Sequence, residues 1–185
     1  MFDIKIERAL QAAALAHAGQ TRKGSKLPYI THPVQVAWIL QGVGAPVVAI
    51  QAGLLHDVVE DCKGWSLERV AEEFGEEVAA IVGELTEDKS KSWEERKLAA
   101  AEKAASMSEM GALVKAADQL HNLSSLSASL AAAEDPGEVW KNFQGGREAS
   151  IEMAQRLLDA LAGRCDERIL EASSAALAAI RATGA

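Results

Sequence analysis

Residues 54–61 read Leu54-Leu55-His56-Asp57-Val58-Val59-Glu60-Asp61. A His-Asp doublet and a Glu-Asp doublet fall within two turns of one expected helix. Adjacent helical residues point about 100° apart, while residues four apart share a face. His56 and Asp57 are thus able to grip a metal ion from one helix flank, with Glu60 and Asp61 one turn further on. A cation beside carboxylates that are not all ligands makes and aims a hydroxide. The chemistry indicated is hydrolysis. Four ionisable groups following the apolar Ala52-Gly53-Leu54-Leu55 would be costly to bury without a cation.

The candidate metal ligands are His32, His56, Asp57 and Asp118, drawn from three helices, as metal sites in helical proteins usually are. Two imidazoles and two carboxylates without a thiolate suit Mn²⁺ or Fe²⁺ better than Zn²⁺ or Mg²⁺. Lys115, Asp118 and Asn122 are spaced three and four apart and share a face. There Asp118 can complete the metal shell, and Asn122 can hold a substrate hydroxyl or a base edge. His17 and His121 are read as ordinary core or surface histidines. Cys62 is read as a packed side chain with no base placed to activate it. Trp38, Trp65, Trp93 and Trp140 are read as core or interface anchors.

The elements that must position these groups are helices. About half of the 185 residues are apolar, alanine dominates, and helical periodicity is nearly continuous. An all-α fold of about eight to ten helices follows, in one domain over residues 1–185. Helices are expected at about 3–18, from Thr31-His32-Pro33 to Gln41, and from Pro46 through both doublets. Others follow from a Ser66 N-cap to Phe74, and at about 76–86, 93–106, 109–130, 136–162 and 166–182. Gln20–Tyr29 and Thr86–Ser92 are expected to be loops. The N-terminus lacks a secretory pattern and no apolar run spans a bilayer. Two cysteines are too few for a disulfide framework. A cytoplasmic protein that needs no membrane is the expectation. The net charge of −8 argues against nucleic-acid binding. Residues 1–35 nevertheless hold five basic against two acidic residues, which suits a small anionic ligand. The Ala-rich end, Ala172–Ala182, is suited to packing within the domain or against a second copy, so a homodimer stays open.

Several segments together resemble the HD-domain hydrolases of the RelA/SpoT type, and in particular the small alarmone hydrolases. They are Gln20-Thr21-Arg22-Lys23, Tyr29-Ile30-Thr31-His32-Pro33, the run from Leu54 to Asp61, Phe74-Gly75, Leu85-Thr86 and Lys115 to Asn122. They occur in family order over roughly residues 10–125. The resemblance implies an all-α bundle that removes the 3′-pyrophosphate from ppGpp and pppGpp with Mn²⁺. It implies His32, His56, Asp57 and Asp118 as metal ligands, and Glu60 and Asp61 as the groups that position and activate the attacking water. It further implies that Arg22 stacks on the purine, that Lys23 lies beside the nucleotide or its phosphates, and that Asn122 contacts the nucleoside. The bifunctional relatives carry a synthetase domain after the hydrolase, and from the length of this chain the expectation is alarmone degradation without synthesis.

The sequence departs from the family in the Gly24–Pro28 loop, at Gln119 where relatives often carry a cation, and over Trp140–Arg147, where Lys141 and Arg147 are read as solvent-exposed. These departures fall near the substrate. The same chemistry on (p)ppApp or NADPH is therefore the alternative. A catalytically inactive nucleotide-binding sensor is a second, disfavoured because all six metal and catalytic residues are present.

Overall fold

Asp3 starts the first helix by accepting hydrogen bonds from the Lys5 and Ile6 N–H groups, and α1 runs Ile4–Ala16. The computed structural model describes residues 2–183. Then come α2 (Thr31–Gly42), α3 (Val47–Leu55), α4 (Val58–Asp61), α5 (Leu67–Phe74), α6 (Glu76–Leu85) and α7 (Trp93–Ala104). The chain closes with α8 (Glu109–Ala132), α9 (Pro136–Trp140), α10 (Gly146–Leu161) and α11 (Glu167–Ala182). The all-α expectation holds. Nine of these segments have eight or more residues, and α4 and α9 are single turns. None of the described helices is long and apolar enough to cross a membrane.

Side-chain caps place the helix starts that matter for the site. Ser66 accepts from the Arg69 N–H, as expected for α5. Ser92 and Glu95 form a reciprocal capping box at α7. Ser108 accepts from the Gly111 N–H and starts α8.

Two expected helices are broken. The helix from Pro46 does not run through both doublets: α3 stops at Leu55, and α4 begins after a turn at His56-Asp57. The His56 ring donates from Nδ1 to the Gly53 carbonyl at 2.8 Å. An uninterrupted helix would offer that carbonyl to the Asp57 N–H. Asp57 departs from ideal helix at φ −97°, ψ −9°. The helix expected over 136–162 is likewise split, because Asn142–Gly145 forms turns and Gly146 takes φ 64°.

The core has two parts. In the larger, α3 is surrounded: every residue from Ala49 to Leu55 is buried, and the helix packs on α1, α2, α6 and α8. This all-round burial explains a helix that is apolar on every face. The smaller cluster gathers Leu123, Leu130, Trp140, Ala154, Leu158, Leu177 and Ile180. Helix α8 contributes to both, with Ala112, Val114, Ala116 and Ala117 in the first and Leu123 and Leu130 in the second. The Ala-rich α11 packs along α8, burying Ile169, Leu177 and Ile180. Trp140 is buried as expected of an anchor, whereas Trp38 is 62% exposed.

Candidate active site

Three of the four expected ligands, His32, His56 and Asp118, gather where α2, the α3–α4 turn and α8 converge, and Asp57 lies beside the two histidines but outside that mutual cluster. Nε2 of His32 lies 3.2 Å from Asp118 Oδ1 and 3.7 Å from Asp57 Oδ2. Nε2 of His56 lies 3.2 Å from Asp57 Oδ2 and 3.8 Å from Asp118 Oδ1. His32, His56 and Asp118 offer ligand atoms all within 4.8 Å of one another, and all three residues are buried. His56 Nε2 is fully enclosed and has no hydrogen-bond partner of acceptable geometry. Its proximity to Asp57 is therefore electrostatic contact without an aligned bond. Since Nδ1 is committed to Gly53, the unsatisfied nitrogen faces the carboxylates, which is the arrangement a divalent cation requires. The residues fit such an ion.

The charges within this cluster support one another. Burial alone would lower the His56 pKa, but the Asp57 carboxylate, Asp118 and the Gly53 carbonyl outweigh it and raise the pKa to about 9. Burial would raise the Asp118 carboxyl, yet Lys115 and the two histidines hold it well below its ordinary range. Lys115 Nζ lies 3.1 Å from Asp118 Oδ2. Burial works against its ammonium, but Asp118 and Glu87 overcome that effect and raise its pKa.

Arg22 and Asn122 join the site through one chain of hydrogen bonds. Arg22 Nη2 donates to Asn122 Oδ1 at 3.0 Å, and Asn122 Nδ2 donates to Asp118 Oδ1 at 2.6 Å. The loop carrying Arg22 is ordered by a bridge between Thr21 and Pro28. Arg22 also sits over the Tyr29 ring, 5.6 Å from its centre. Lys23 lies over Phe143 at 5.2 Å.

Glu60 and Asp61 stand together, one turn past the ligands, and Lys89 pairs with both. Glu60 Oε2 also accepts from the Glu87 N–H at 3.1 Å. Burial raises the Glu60 pKa, with the Glu87 and Asp57 charges adding to it and the Glu87 N–H and Lys89 opposing it.

Several contributors were not legible in the sequence. Tyr29 Oη donates to Asp57 Oδ2 at 2.5 Å. Arg96 and Lys97 of α7 are held by Glu87 at 2.9 and 2.7 Å. The last two line a cavity of about 750 Å³ with Arg22, Lys23, His121 and Asn122. An adjoining cavity of about 270 Å³ shares Lys23, Lys97, Asn122 and Phe143 and reaches Lys115 and Asp118. Trp93 also walls this second space. Its ring leaves no room for a side chain at Gly145, where a Cβ would approach within 2.3 Å. The E-R-K run at 95–97 was the available clue, but an exposed helical face has the same pattern.

His17 and His121 lie beside the cluster: His121 meets His32 and His17 meets Tyr29. His121 Nδ1 lies 2.6 Å from His32 Nδ1. His17 stacks on Tyr29 with ring centres 4.7 Å apart. His17 also stands 3.4 Å from Cys62 Sγ, so a ring nitrogen does lie beside the thiol. That nitrogen is 2.8 Å from Gln20 Oε1 and serves as a donor there. Burial pushes the Cys62 thiol pKa up, in keeping with a packed, unactivated thiol.

A family model described as "HD domain" matches residues 9–150. The guanosine-3′,5′-bis(diphosphate) 3′-pyrophosphohydrolase MESH1 of Xenopus tropicalis is 39% identical over 146 residues, covering 77% of this chain and 81% of that protein. A probable GTP pyrophosphokinase of Mycobacterium leprae is 46% identical over 81 residues, covering 44% of this chain and 10% of that longer protein. A solved structure described as a metazoan ortholog of SpoT that hydrolyses ppGpp superposes with a TM-score of 0.81 at 32% identity, covering 95% of each chain. With the doublet, its partner histidine and the α8 aspartate gathered as described, the chain belongs to the HD-domain family, among the relatives of the MESH1 hydrolases.

Proposed function

We propose that this protein hydrolyses the 3′-pyrophosphate of ppGpp and pppGpp with Mn²⁺, giving GDP or GTP and pyrophosphate. The observation that carries this reading is the buried, unpartnered Nε2 of His56, facing two carboxylates and a second imidazole, with one of those carboxylates, Asp118, lining a cavity that also holds Lys23, Lys97 and Lys115. The Xenopus relative and the metazoan structure, both named for this reaction, support it.

His32, His56, Asp57 and Asp118 would hold the metal. When bound, the ion supplies Lewis-acid polarisation of a phosphoryl oxygen and acidifies water. Glu60, whose pKa burial raises, accepts the proton of the attacking water at its carboxylate, and Asp61 orients that water. The water oxygen bonds to phosphorus as the 3′ P–O bond breaks, and the proton taken up by Glu60 is returned to the ribose oxygen. Lys115 and Lys97 offset phosphate charge in the smaller cavity, and Lys23 lies between the two spaces. Arg22 offers its plane to the purine, and Asn122 aligns the nucleoside. Both cysteines are free, which supports a cytoplasmic setting.

A guanidinium plane stacks on adenine as well as on guanine, so (p)ppApp and NADPH are the competing substrates. The test is product analysis with purified protein, ppGpp and Mn²⁺, with EDTA and Asp57→Ala as controls. Release of GDP and pyrophosphate, abolished in both controls, is the expected result. Failure to turn over ppGpp with Mn²⁺ bound would overturn the guanosine assignment, and competition with (p)ppApp and NADPH would identify the replacement.

A further inference from the structure

His32 and His56 each present Nε2 to the carboxylates, and each must keep that nitrogen free of hydrogen to bind a cation. A neutral imidazole carries its one hydrogen on the other nitrogen, which needs an acceptor when buried. His56 meets this need with main chain, because Nδ1 reaches the Gly53 carbonyl at 2.8 Å. His32 is 2% exposed, and its Nδ1 faces a side chain: Nδ1 of His121, 2.6 Å away. Two imidazole nitrogens at that separation share a single hydrogen, so one donates and the other accepts. The rings are tilted by 34° with centres 4.9 Å apart.

We propose that His121 is a positioning residue: its Nδ1 accepts the Nδ1–H of His32 and thereby fixes the His32 tautomer that leaves Nε2 bare. This inference rests on the reading of His32 as a metal ligand. His121 stands three residues after Asp118 on α8, so a single helical face supplies a ligand and the support for a second ligand on another helix. Its own hydrogen then sits on Nε2. Since His121 lines the larger cavity beside Arg22 and Asn122, the two nitrogens divide its duties: one faces the metal ligand and the other belongs to the ring edge left for the cavity. The opposite arrangement, with His121 donating, would put the His32 hydrogen on Nε2 toward Asp118 and block the cation.

The experiment is Mn²⁺ titration by calorimetry of wild type, His121→Phe, His121→Asn and Asp57→Ala, with thermal melts of each metal-free protein. His121→Phe removes the acceptor. Its Mn²⁺ dissociation constant should rise roughly 10–100-fold, the usual effect of losing an outer-shell partner. His121→Asn places a carbonyl oxygen near the former Nδ1 and should recover most of the affinity. Should the Phe variant fail to fold, the Asn variant together with His121→Gln carries the comparison. Wild-type affinity in His121→Phe, or equal weakening in the Phe and amide variants, would overturn the positioning role. The metal reading would still stand if Asp57→Ala abolished binding. Absence of Mn²⁺ binding by wild type would overturn both.

Discussion

Glu60 and Asp61 sit side by side but have different surroundings. Glu60 accepts a main-chain N–H and is the more enclosed, whereas Asp61 is paired chiefly with Lys89. A carboxylate whose pKa is raised by burial is suited to accept a proton. Glu60→Gln keeps the shape and removes that capacity. It should retain bound Mn²⁺, measured by metal analysis, and lose roughly 10²–10⁴-fold in kcat. Unchanged kcat would remove Glu60 from the chemistry. At this scale the sequence was informative about types and silent about partners. His56, Asp57, Glu60 and Asp61 were readable because they are contiguous on an otherwise apolar stretch. Tyr29 and His121 were not, because their contacts to Asp57 and His32 span 28 and 89 residues, and nothing local marks such a pairing.

Helix α2 carries His32 and α3 leads directly into His56, the two proposed histidine ligands, and the separation of these helices is set by Gly53. A Cβ there would stand 2.6 Å from Leu40 Cδ1 and 3.3 Å from Val36 Cγ1, and both side chains are fully buried. Gly53→Ala should therefore push α2 away from α3. Overpacking of this kind costs about 1–3 kcal/mol. A lowered midpoint in chemical denaturation together with weakened Mn²⁺ binding is expected. Wild-type stability would show that Leu40 has room to rotate. Helix existence was largely legible in the sequence, since apolar periodicity and the Ser66 cap mark it out. The interruptions at His56-Asp57 and at Asn142–Gly145 were not. The first arises from a side chain competing for a main-chain carbonyl, and the second from a turn whose Gly145 is pressed against Trp93.

The protein as a whole is acidic, at −8, yet Arg22, Lys23, Arg96 and Lys97 line one cavity. In the metal-free protein, the His56 pKa of about 9 stands above its ordinary 6.5. Its protonation therefore stabilises the fold fully below about pH 6.5, and that contribution is lost as pH rises through about 9. A metal competes for the same nitrogen. Mn²⁺ binding at neutral pH should release about one proton, with apparent affinity rising roughly tenfold per pH unit toward pH 9. Calorimetry in buffers of different ionisation enthalpy measures the proton count. Affinity that is flat between pH 6 and 8.5 would show that His56 is already neutral without metal. The family was readable at this scale from motif order, and the all-α class from composition and helical periodicity. The basic wall from α7 was not, because Arg96 and Lys97 face inward only through Glu87.

Lys115, Asp118, His121 and Asn122 all lie on α8, whose start is fixed by Ser108. Their shared orientation is a phase, and a phase is vulnerable to changes in length rather than in residue type. One residue inserted between Gly111 and Lys115 would rotate all four by about 100° about the helix axis, withdrawing the proposed ligand Asp118, the histidine proposed to support His32 and two proposed substrate groups together. The same insertion at Ala133-Glu134, beyond the end of α8, would leave the phase untouched. Insertions and deletions in descendants of this chain should therefore be rare within the first two turns of α8 and tolerated just past its last.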